Sequence, residues 1–183
     1  MAIRIYGKRL IETPPGLATR PTAAKVREAV FNIWQGQIPE ARWLDLCTGS
    51  GSMGAEALAR GAAEVVGIEL NTRACRVIHD NWRRVSRAPQ KFSVLRGRVQ
   101  TRLKGLQPAF DLIYFDPPYQ AGLYGPVLEQ INRLELLSPQ GAIAAEHGRE
   151  QILPDAVADL VATKRSHYGQ TSLTFYQRQE DLS

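Results

Sequence analysis

The stretch YFDPPY, residues 114–119, combines residue types that could hold a flat group bearing hydrogens. The Asp116 carboxylate and the Pro117 carbonyl are hydrogen-bond acceptors, and Tyr119 offers a ring face on which a base can stack. Pro118 fixes the direction of the carbonyl before it, because proline restricts the preceding residue to extended geometry. Proline also cannot continue a sheet ladder, so we expect an apolar strand to end here and to expose these groups.

An exocyclic amine of a nucleobase fits this set of acceptors. Such an amine is a poor nucleophile because its lone pair is delocalised into the ring, and two acceptors for its hydrogens favour the pyramidal geometry that localises the pair. A base paired in a helix cannot present its amine in this way, so the target would be flipped out or already unpaired. We therefore predict that Asp116, Pro117, Pro118 and Tyr119 are the catalytic residues. The alternative is a simple strand-ending turn, since DPP also occurs by chance.

A second stretch, LDLCTGSGSMG at residues 44–54, runs from a predicted strand through glycines into a predicted helix. Glycines allow a ligand to approach the backbone, and the start of a helix offers free N–H groups. A carboxylate at Asp45 suits a cationic ligand, and Glu69, at the end of the next strand, can accept hydrogen bonds from both hydroxyls of a ribose. These features predict S-adenosylmethionine as the cofactor. The predicted cofactor-binding residues of these two segments are Asp45, Gly49, Ser50, Gly51, Glu69 and Leu70.

The same glycines leave a competing interpretation open. Gly49, Gly51 and Gly54 satisfy GxGxxG, which is also typical of nicotinamide-dinucleotide folds. Asp45 counts against a pyrophosphate at this loop, no second substrate-binding domain follows, and nicotinamide chemistry does not explain DPPY. A glycine-rich loop without any ligand is a further alternative.

The elements that must position these groups alternate along the chain. Apolar runs predict strands at 43–47, 65–70, 92–95, 110–115 and 141–147, and helical patterns lie at 53–60, 72–86 and 122–136, the second capped by Asn71 or Thr72. This alternation indicates an α/β fold with a mostly parallel, doubly wound sheet. Residues 164–179 predict an antiparallel edge hairpin. Residues 1–40 predict an extension, with a helix from the N-cap Thr22, that packs on a core domain of residues 41–183.

Charge and composition bound the class of protein. The net charge of +5 is unevenly spread, since residues 73–104 carry ten basic and one acidic side chain. Such a patch can neutralise phosphates and favours a nucleic-acid partner, although a solvated helix face is the ordinary alternative. Two separated cysteines, no metal-ligand spacing, no signal peptide and no apolar run long enough for a bilayer predict a cytoplasmic protein without a metal.

Together these stretches and GLATRPTAAKVREAVFNIW resemble the RsmD family of Rossmann-like, S-adenosylmethionine-dependent amino-methyltransferases. The resemblance covers nearly the whole chain. It implies methylation of the exocyclic N2 of a guanine in bacterial 16S ribosomal RNA, within the RNA or the small ribosomal subunit. It also implies that Arg20 and Thr22 close over the cofactor and help to dock the RNA.

The chain departs from the family pattern at two places. The glycine-rich opening is shortened to RIYGKRLIETPPG, and Arg98 stands where an acid or amide often contacts adenine. Two other functions stay open, namely adenine-N6 methylation of DNA or RNA, and a non-catalytic RNA-binding assembly factor. Nothing in the sequence demands a dimer, so a monomer is expected.

Overall fold

A computed structural model describes residues 2–14 and 24–182. The strands are β1 (Ala2–Arg4), β2 (Leu10–Glu12), β3 (Arg42–Leu46), β4 (Glu64–Glu69), β5 (Lys91–Arg96), β6 (Phe110–Phe115), β7 (Leu137–Gly148), β8 (Ala156–Val157), β9 (Leu160–Tyr168) and β10 (Thr171–Arg178). The α-helices are α1 (Ala24–Ile33), α2 (Ser52–Ala59), α3 (Thr72–Val85), α4 (Val99–Arg102) and α5 (Tyr124–Arg133). No helix in these ranges is long and apolar enough to cross a membrane.

Eight strands form one sheet in the order β5-β4-β3-β6-β7-β10-β9-β8. Five neighbouring strands, β5, β4, β3, β6 and β7, are parallel to one another. The last three strands in the order, β10, β9 and β8, each pair antiparallel with the strand before them. The predicted α/β fold, with its parallel sheet and C-terminal hairpin, is therefore confirmed. The hairpin β9–β10 does not form the edge, because the two-residue strand β8, which the sequence analysis missed, pairs outside β9.

The central strands are buried on both faces, which explains their continuous apolar runs. One face packs under α1, α2 and α3, and its core includes Val30, Trp43 and Trp82. The other packs under α4 and α5, with Leu44, Phe115 and Ile131 among its buried side chains. The carboxyl ends of the parallel strands thus meet at one edge of a sheet that is covered on both sides.

The helix boundaries differ from the sequence predictions by a few residues for local reasons. Asn71 caps α3 as predicted, since its side chain accepts hydrogen bonds from the N–H groups of Arg73 and Ala74, at 2.9 and 3.0 Å. The predicted helix over 122–136 is shorter in the structure, because Gly122 and Glu135 both have positive φ values, of 64° and 51°. Left-handed residues interrupt a right-handed helix, so α5 is confined between them.

The N-terminal segment forms a short hairpin, β1–β2, that the sequence analysis did not predict. Ile11 is buried in the core of the first face. The Asn81 side chain of α3 pairs with the backbone of Glu12, accepting from its N–H at 2.9 Å and donating to its carbonyl at 2.8 Å. The hairpin is therefore attached to the helix that follows β4. Arg20 and Thr22 lie outside the described residues.

Candidate functional site

A cleft of about 820 Å³ lies at the carboxyl ends of the parallel strands. This is the place where open α/β sheets bind ligands, and the volume suits a cofactor together with part of a substrate. The cleft is lined by residues from four strand ends: Cys47, Gly49, Ile68, Glu69, Leu70, Asn71, Gly97, Arg98, Val99, Gln100, Asp116, Pro117, Pro118, Tyr119, Ala121 and Leu123. The two predicted motifs therefore face one shared space.

The glycine loop begins directly after β3 and turns sharply. Cys47, Gly49 and Gly51 have positive φ values of 61°, 58° and 77°. The Thr48 N–H donates to the carbonyl of Ile68 at 3.1 Å, and its hydroxyl lies 2.9 Å from the carbonyl of Asp45. The loop is thus attached to the end of β4, which brings Gly49 beside Glu69.

Glu69 is held by the backbone on both of its carboxylate oxygens. The Gly49 N–H donates to Oε2 at 2.9 Å, and the Asn71 N–H donates to Oε1 at 2.8 Å. Each oxygen has further lone pairs, so the carboxylate can still accept hydrogen bonds from a ligand in the cleft. Its fixed direction makes Glu69 a suitable acceptor for the two hydroxyls of a ribose.

Asp45 lies deeper, in a small pocket beneath the cleft that it shares with Ser50, Tyr114 and Asp116. Its carboxylate accepts a hydrogen bond from the Gly54 N–H, in the first turn of α2, at 3.0 Å. Burial raises the pKa of Asp45 to about 8; the Gly54 hydrogen bond opposes this shift and the Glu69 charge adds to it. A cation in this pocket would stabilise the ionised carboxylate, whereas a pyrophosphate would meet a carboxylate already bound to the helix N-terminus. This geometry argues against the nicotinamide interpretation.

Trp82 of α3 supports the glycine loop from below, and sequence reasoning missed it. Its indole N–H donates to the Gly51 carbonyl at 2.8 Å. A Cβ atom added at Gly54 or Gly67 would lie 2.2 or 2.5 Å from the Trp82 ring. Gly51 lines neither the cleft nor the small pocket, and a Cβ there would meet Ile78 at 3.0 Å. Gly51 and Gly54 therefore allow close packing against α3.

The DPPY stretch follows β6 at the centre of the sheet. The Asp116 N–H donates to the carbonyl of Leu46 in the neighbouring strand β3, at 3.3 Å. The Pro118 carbonyl accepts from the Ala121 N–H at 2.9 Å, which closes a turn. Among the described residues, no backbone N–H donates to the Pro117 carbonyl. Asp116, Pro117 and Pro118 all line the cleft wall, and the Pro118 carbonyl also stabilises the loop.

A buried carboxyl group, that of Glu146 in β7, lies beside DPPY, and no motif in the sequence pointed to it. It accepts hydrogen bonds from the hydroxyls of Tyr114 and Tyr119. The Tyr124 hydroxyl donates to the Glu146 backbone carbonyl at 2.7 Å. The pKa of Tyr124 is raised, first by burial and then by the charges of Asp116, Tyr119 and Glu146 among others. These groups form one polar cluster beside the DPPY stretch.

Two further cleft residues need comment. Cys47 lies at the junction of the cleft and the small pocket, and burial, followed by the charges of Glu69, Asp116 and Asp45, raises the pKa of its thiol. Its thiol is therefore protonated at neutral pH and is a poor nucleophile. Arg98 is exposed at the cleft rim, at the start of α4.

The structure brings most of the predicted site residues together. Seven line the cleft: Gly49, Glu69, Leu70, Asp116, Pro117, Pro118 and Tyr119. Asp45 and Ser50 line the smaller pocket. In residues 2–14 and 24–182, no group of three or more His, Cys, Asp or Glu side chains could hold a metal ion.

Comparison with known proteins places this chain among methyltransferases. The family model described as "Conserved hypothetical protein 95" matches residues 3–177. The Bacillus subtilis protein named "Putative rRNA methyltransferase YlbH" is 32% identical, over 93% of this chain and 94% of that protein. The Escherichia coli protein "Ribosomal RNA small subunit methyltransferase D" is 30% identical, over 97% of this chain and 90% of its own length.

Solved structures show the same architecture. The one described as "Putative methyltransferase yhhF from Escherichia coli" superposes with a TM-score of 0.84 at 29% sequence identity, covering 97% of this chain and 98% of that one. The alignment includes both the N-terminal hairpin side and the antiparallel end of the sheet, because it spans nearly the full length of both chains.

Proposed function

This chain belongs to the RsmD family of methyltransferases, and from that premise we propose that it methylates the exocyclic N2 of a guanine in bacterial small-subunit (16S) ribosomal RNA. The observation that carries the proposal is that the glycine loop with Glu69 and the DPPY stretch line one cleft. A cofactor on one side and a flat amine-bearing base on the other would then meet near Asp116.

The cofactor is S-adenosylmethionine. When bound, it supplies an electrophilic methyl group attached to a sulfonium. The residues present fit this cofactor. The Glu69 carboxylate, fixed at the cleft wall, can bind the hydroxyls of a ribose, and the Asp45 carboxylate in the small pocket can bind a cationic end. Leu70 is exposed at the cleft wall, where its apolar side chain can cover a flat ring.

The protein groups at the target amine act by position and charge. The Asp116 carboxylate and the Pro117 carbonyl would each accept one hydrogen of the amine, which directs its lone pair toward the methyl group at roughly 3 Å. As the N–C bond forms, the S–C bond to the transferred methyl group would break and leave a neutral thioether. The methylated nitrogen would then be cationic and would lose its proton to the Asp116 carboxylate or to water, so no strong general base is required beforehand. Tyr119 would stack on the base and hold its plane.

The name of the Escherichia coli relative supports small-subunit ribosomal RNA as the substrate. The choice of guanine N2 rests on the family resemblance, because the DPPY chemistry alone also suits adenine N6. The basic patch, which we define as the ten Lys and Arg side chains of residues 73–104, is exposed throughout and reaches the cleft rim at Arg98. It would neutralise phosphates of the RNA flanking the target base. Methylation of ribosomal RNA by a monomer in the cytoplasm completes the proposal.

The test is to incubate the protein with labelled S-adenosylmethionine and small ribosomal subunits from a strain that lacks the family enzyme, and then to identify the labelled nucleoside. We expect N2-methylguanosine. N6-methyladenosine would keep the mechanism and overturn the guanine assignment. An absence of label, while S-adenosylhomocysteine still binds, would contradict the assembled subunit as the substrate and would direct the search to an earlier assembly particle, DNA or protein.

Salt dependence tests the basic patch separately. Each phosphate contact adds about 0.7–0.9 to the slope of log K against log salt concentration. We expect a steep slope for wild-type protein and a shallower one for the Arg83→Ala/Arg84→Ala variant. If the RNA affinity of the wild type did not change with salt concentration, the basic patch would not contribute to RNA binding.

A further inference from the structure

Glu146 lies close to the DPPY stretch, residues 116–119, where the target base is proposed to bind, although it is outside both sequence motifs. It is the residue after Ala145, which pairs with Phe115 at the end of β6, so Glu146 is level with Asp116 at the start of DPPY. Its other neighbour in the sheet is Leu173 of β10. Only 4% of Glu146 is exposed, so its carboxyl group is enclosed between these strands and the loop above them.

The Glu146 carboxyl group joins two tyrosines of the YFDPPY stretch. One oxygen accepts from the hydroxyl of Tyr114, and the other accepts from the hydroxyl of Tyr119 at 3.3 Å. Tyr114 is a residue of β6 and is almost fully buried in the core. Two hydrogen bonds that share the Glu146 carboxyl group therefore connect the half-buried Tyr119 to Tyr114 of strand β6.

Tyr119 is also confined at its ring and at the far side of its hydroxyl. A Cβ atom added at Gly148 would lie 3.1 Å from Cδ2 of the ring, so the glycine leaves space for the ring to pack directly on β7. The Thr171 hydroxyl, at the start of β10, lies 3.5 Å from the Tyr119 hydroxyl. Three strands thus define where this ring stands in the cleft wall.

We propose that Glu146 is a positioning residue, which fixes the Tyr119 ring in the orientation that stacks the target base. This proposal rests on the proposed function, since it assigns the base to Tyr119. A ring held in place in advance binds a flat base with a smaller loss of conformational freedom, so Glu146 contributes to substrate binding without touching the substrate. The expected signature is a change in the KM for RNA, with cofactor binding preserved.

The first variant is Glu146→Gln, which keeps the size of the side chain but turns one acceptor oxygen into a donor amide. We expect the KM for RNA to rise about tenfold, kcat to change less, and the affinity for S-adenosylhomocysteine to stay within about twofold. Glu150→Gln, an exposed carboxylate on the turn that follows β7, is the matched control and should match wild type. Equal losses in cofactor and RNA binding would overturn the proposal, as would wild-type kinetics.

A double-mutant cycle separates positioning from general stability. Tyr119→Phe keeps the ring and removes the hydroxyl through which Glu146 acts. Glu146→Gln should therefore add less than about twofold to the KM for RNA in a Tyr119→Phe background. Independent, multiplicative effects of the two substitutions would show that Glu146 does not act through Tyr119.

Gly148→Ala tests the ring position without altering Glu146. The added methyl group would press on the Tyr119 ring, so the KM for RNA should rise while S-adenosylhomocysteine binding is retained. A wild-type KM in this variant would contradict the proposal.

An NMR measurement keeps the inference testable independently of the substrate. In protein with ¹³C-labelled tyrosine rings, the Tyr119 signals are those lost in Tyr119→Phe. They should shift in Glu146→Gln and stay unchanged in Glu150→Gln; unchanged signals in both would overturn the proposal. If the wild-type protein methylates a different base, the guanine assignment fails, and the same variants are compared on that base.

Discussion

The cofactor side of the cleft, residues 45–54 with 69–71, is held mainly by backbone groups close along the chain, whereas the target side, residues 116–119, is held by side chains from distant strands. Asp45 bonds to Gly54, nine residues away, and Glu69 bonds to Asn71, two residues away. Tyr119 instead depends on Glu146 and Thr171, 27 and 52 residues further on.

This difference matches what each side has to do. A cofactor of constant shape can be bound by a loop whose own amides and glycines define the site, so a local stretch of sequence suffices. A target base arrives from a large RNA, and the groups that meet it need the support of a rigid sheet. Two contacts on the cofactor side join more distant residues: Gly49 bonds to Glu69, 20 residues away, and Trp82 bonds to Gly51 from 31 residues away and supports the loop.

The largest expected effect is a loss of methyl transfer, caused by a substitution on the target side that leaves cofactor binding intact. Asp116→Ala removes a carboxylate that accepts a hydrogen of the amine, so we expect the single-turnover rate of methyl transfer to fall about 10²- to 10³-fold. S-adenosylhomocysteine affinity, measured by calorimetry, should change less than about threefold. Asp116→Asn, which keeps one acceptor oxygen, should show an intermediate rate. Loss of cofactor binding in a folded Asp116→Ala variant would show that the two sides are not separable.

The second prediction concerns a substitution on the cofactor side of the cleft, which should weaken cofactor binding. Glu69→Ala removes both the proposed ribose acceptor and the partner of the Gly49 and Asn71 amides. We expect the Kd for S-adenosylhomocysteine to rise about 10- to 100-fold, which is about 1.4–2.7 kcal/mol. Glu64→Gln, at the other end of β4, serves as the control and should bind normally. An unchanged Kd in Glu69→Ala would show that Glu69 does not bind the cofactor.

A third substitution tests the long-range support of the cofactor side. Gly54→Ala would place a methyl group against the Trp82 ring, and overpacking of this kind lowers the free energy of unfolding by about 1–3 kcal/mol. The melting temperature should fall by about 2–4 °C for each kcal/mol. Gly125→Ala in α5, where nothing lies within 4 Å of the added atom, should be neutral or stabilising. Equal stability of both variants would mean that the glycine is not required for packing.

The smallest expected effect is a pH dependence confined to the cofactor side. Because the pKa of Asp45 is raised to about 8, its carboxyl group is protonated below that pH and ionised above it. The sulfonium and ammonium of S-adenosylmethionine favour the ionised form, so the affinity for S-adenosylmethionine should increase between pH 7 and pH 8, by at most about tenfold. Asp45→Asn should abolish this dependence. A flat profile for the wild type would show that Asp45 does not contact the cationic end.

The sequence indicated most of the fold and the front of the site, for reasons that are local. Continuous apolar runs and helical periodicity predicted the five parallel strands and three of the helices between them, α2, α3 and α5, but not the four-residue helix α4. Glycines and prolines marked the loops that face the cleft. The β1–β2 hairpin was missed because its strands are three residues long and carry exposed side chains. The two-residue strand β8 has no periodicity that a pattern could reveal.

Hydrophobic period, turn chemistry and short motifs are properties of neighbouring residues, so the sequence alone indicated the five parallel strands, the helices α2, α3 and α5, the family, and most of the motif residues that line the cleft. The packing of Gly51 and Gly54 against Trp82, and the position of Glu146 beside Tyr119, could be seen only in the folded structure. Those contacts join residues far apart in the chain, and they arise only when the register between strands and the packing of α3 on the sheet bring the side chains together.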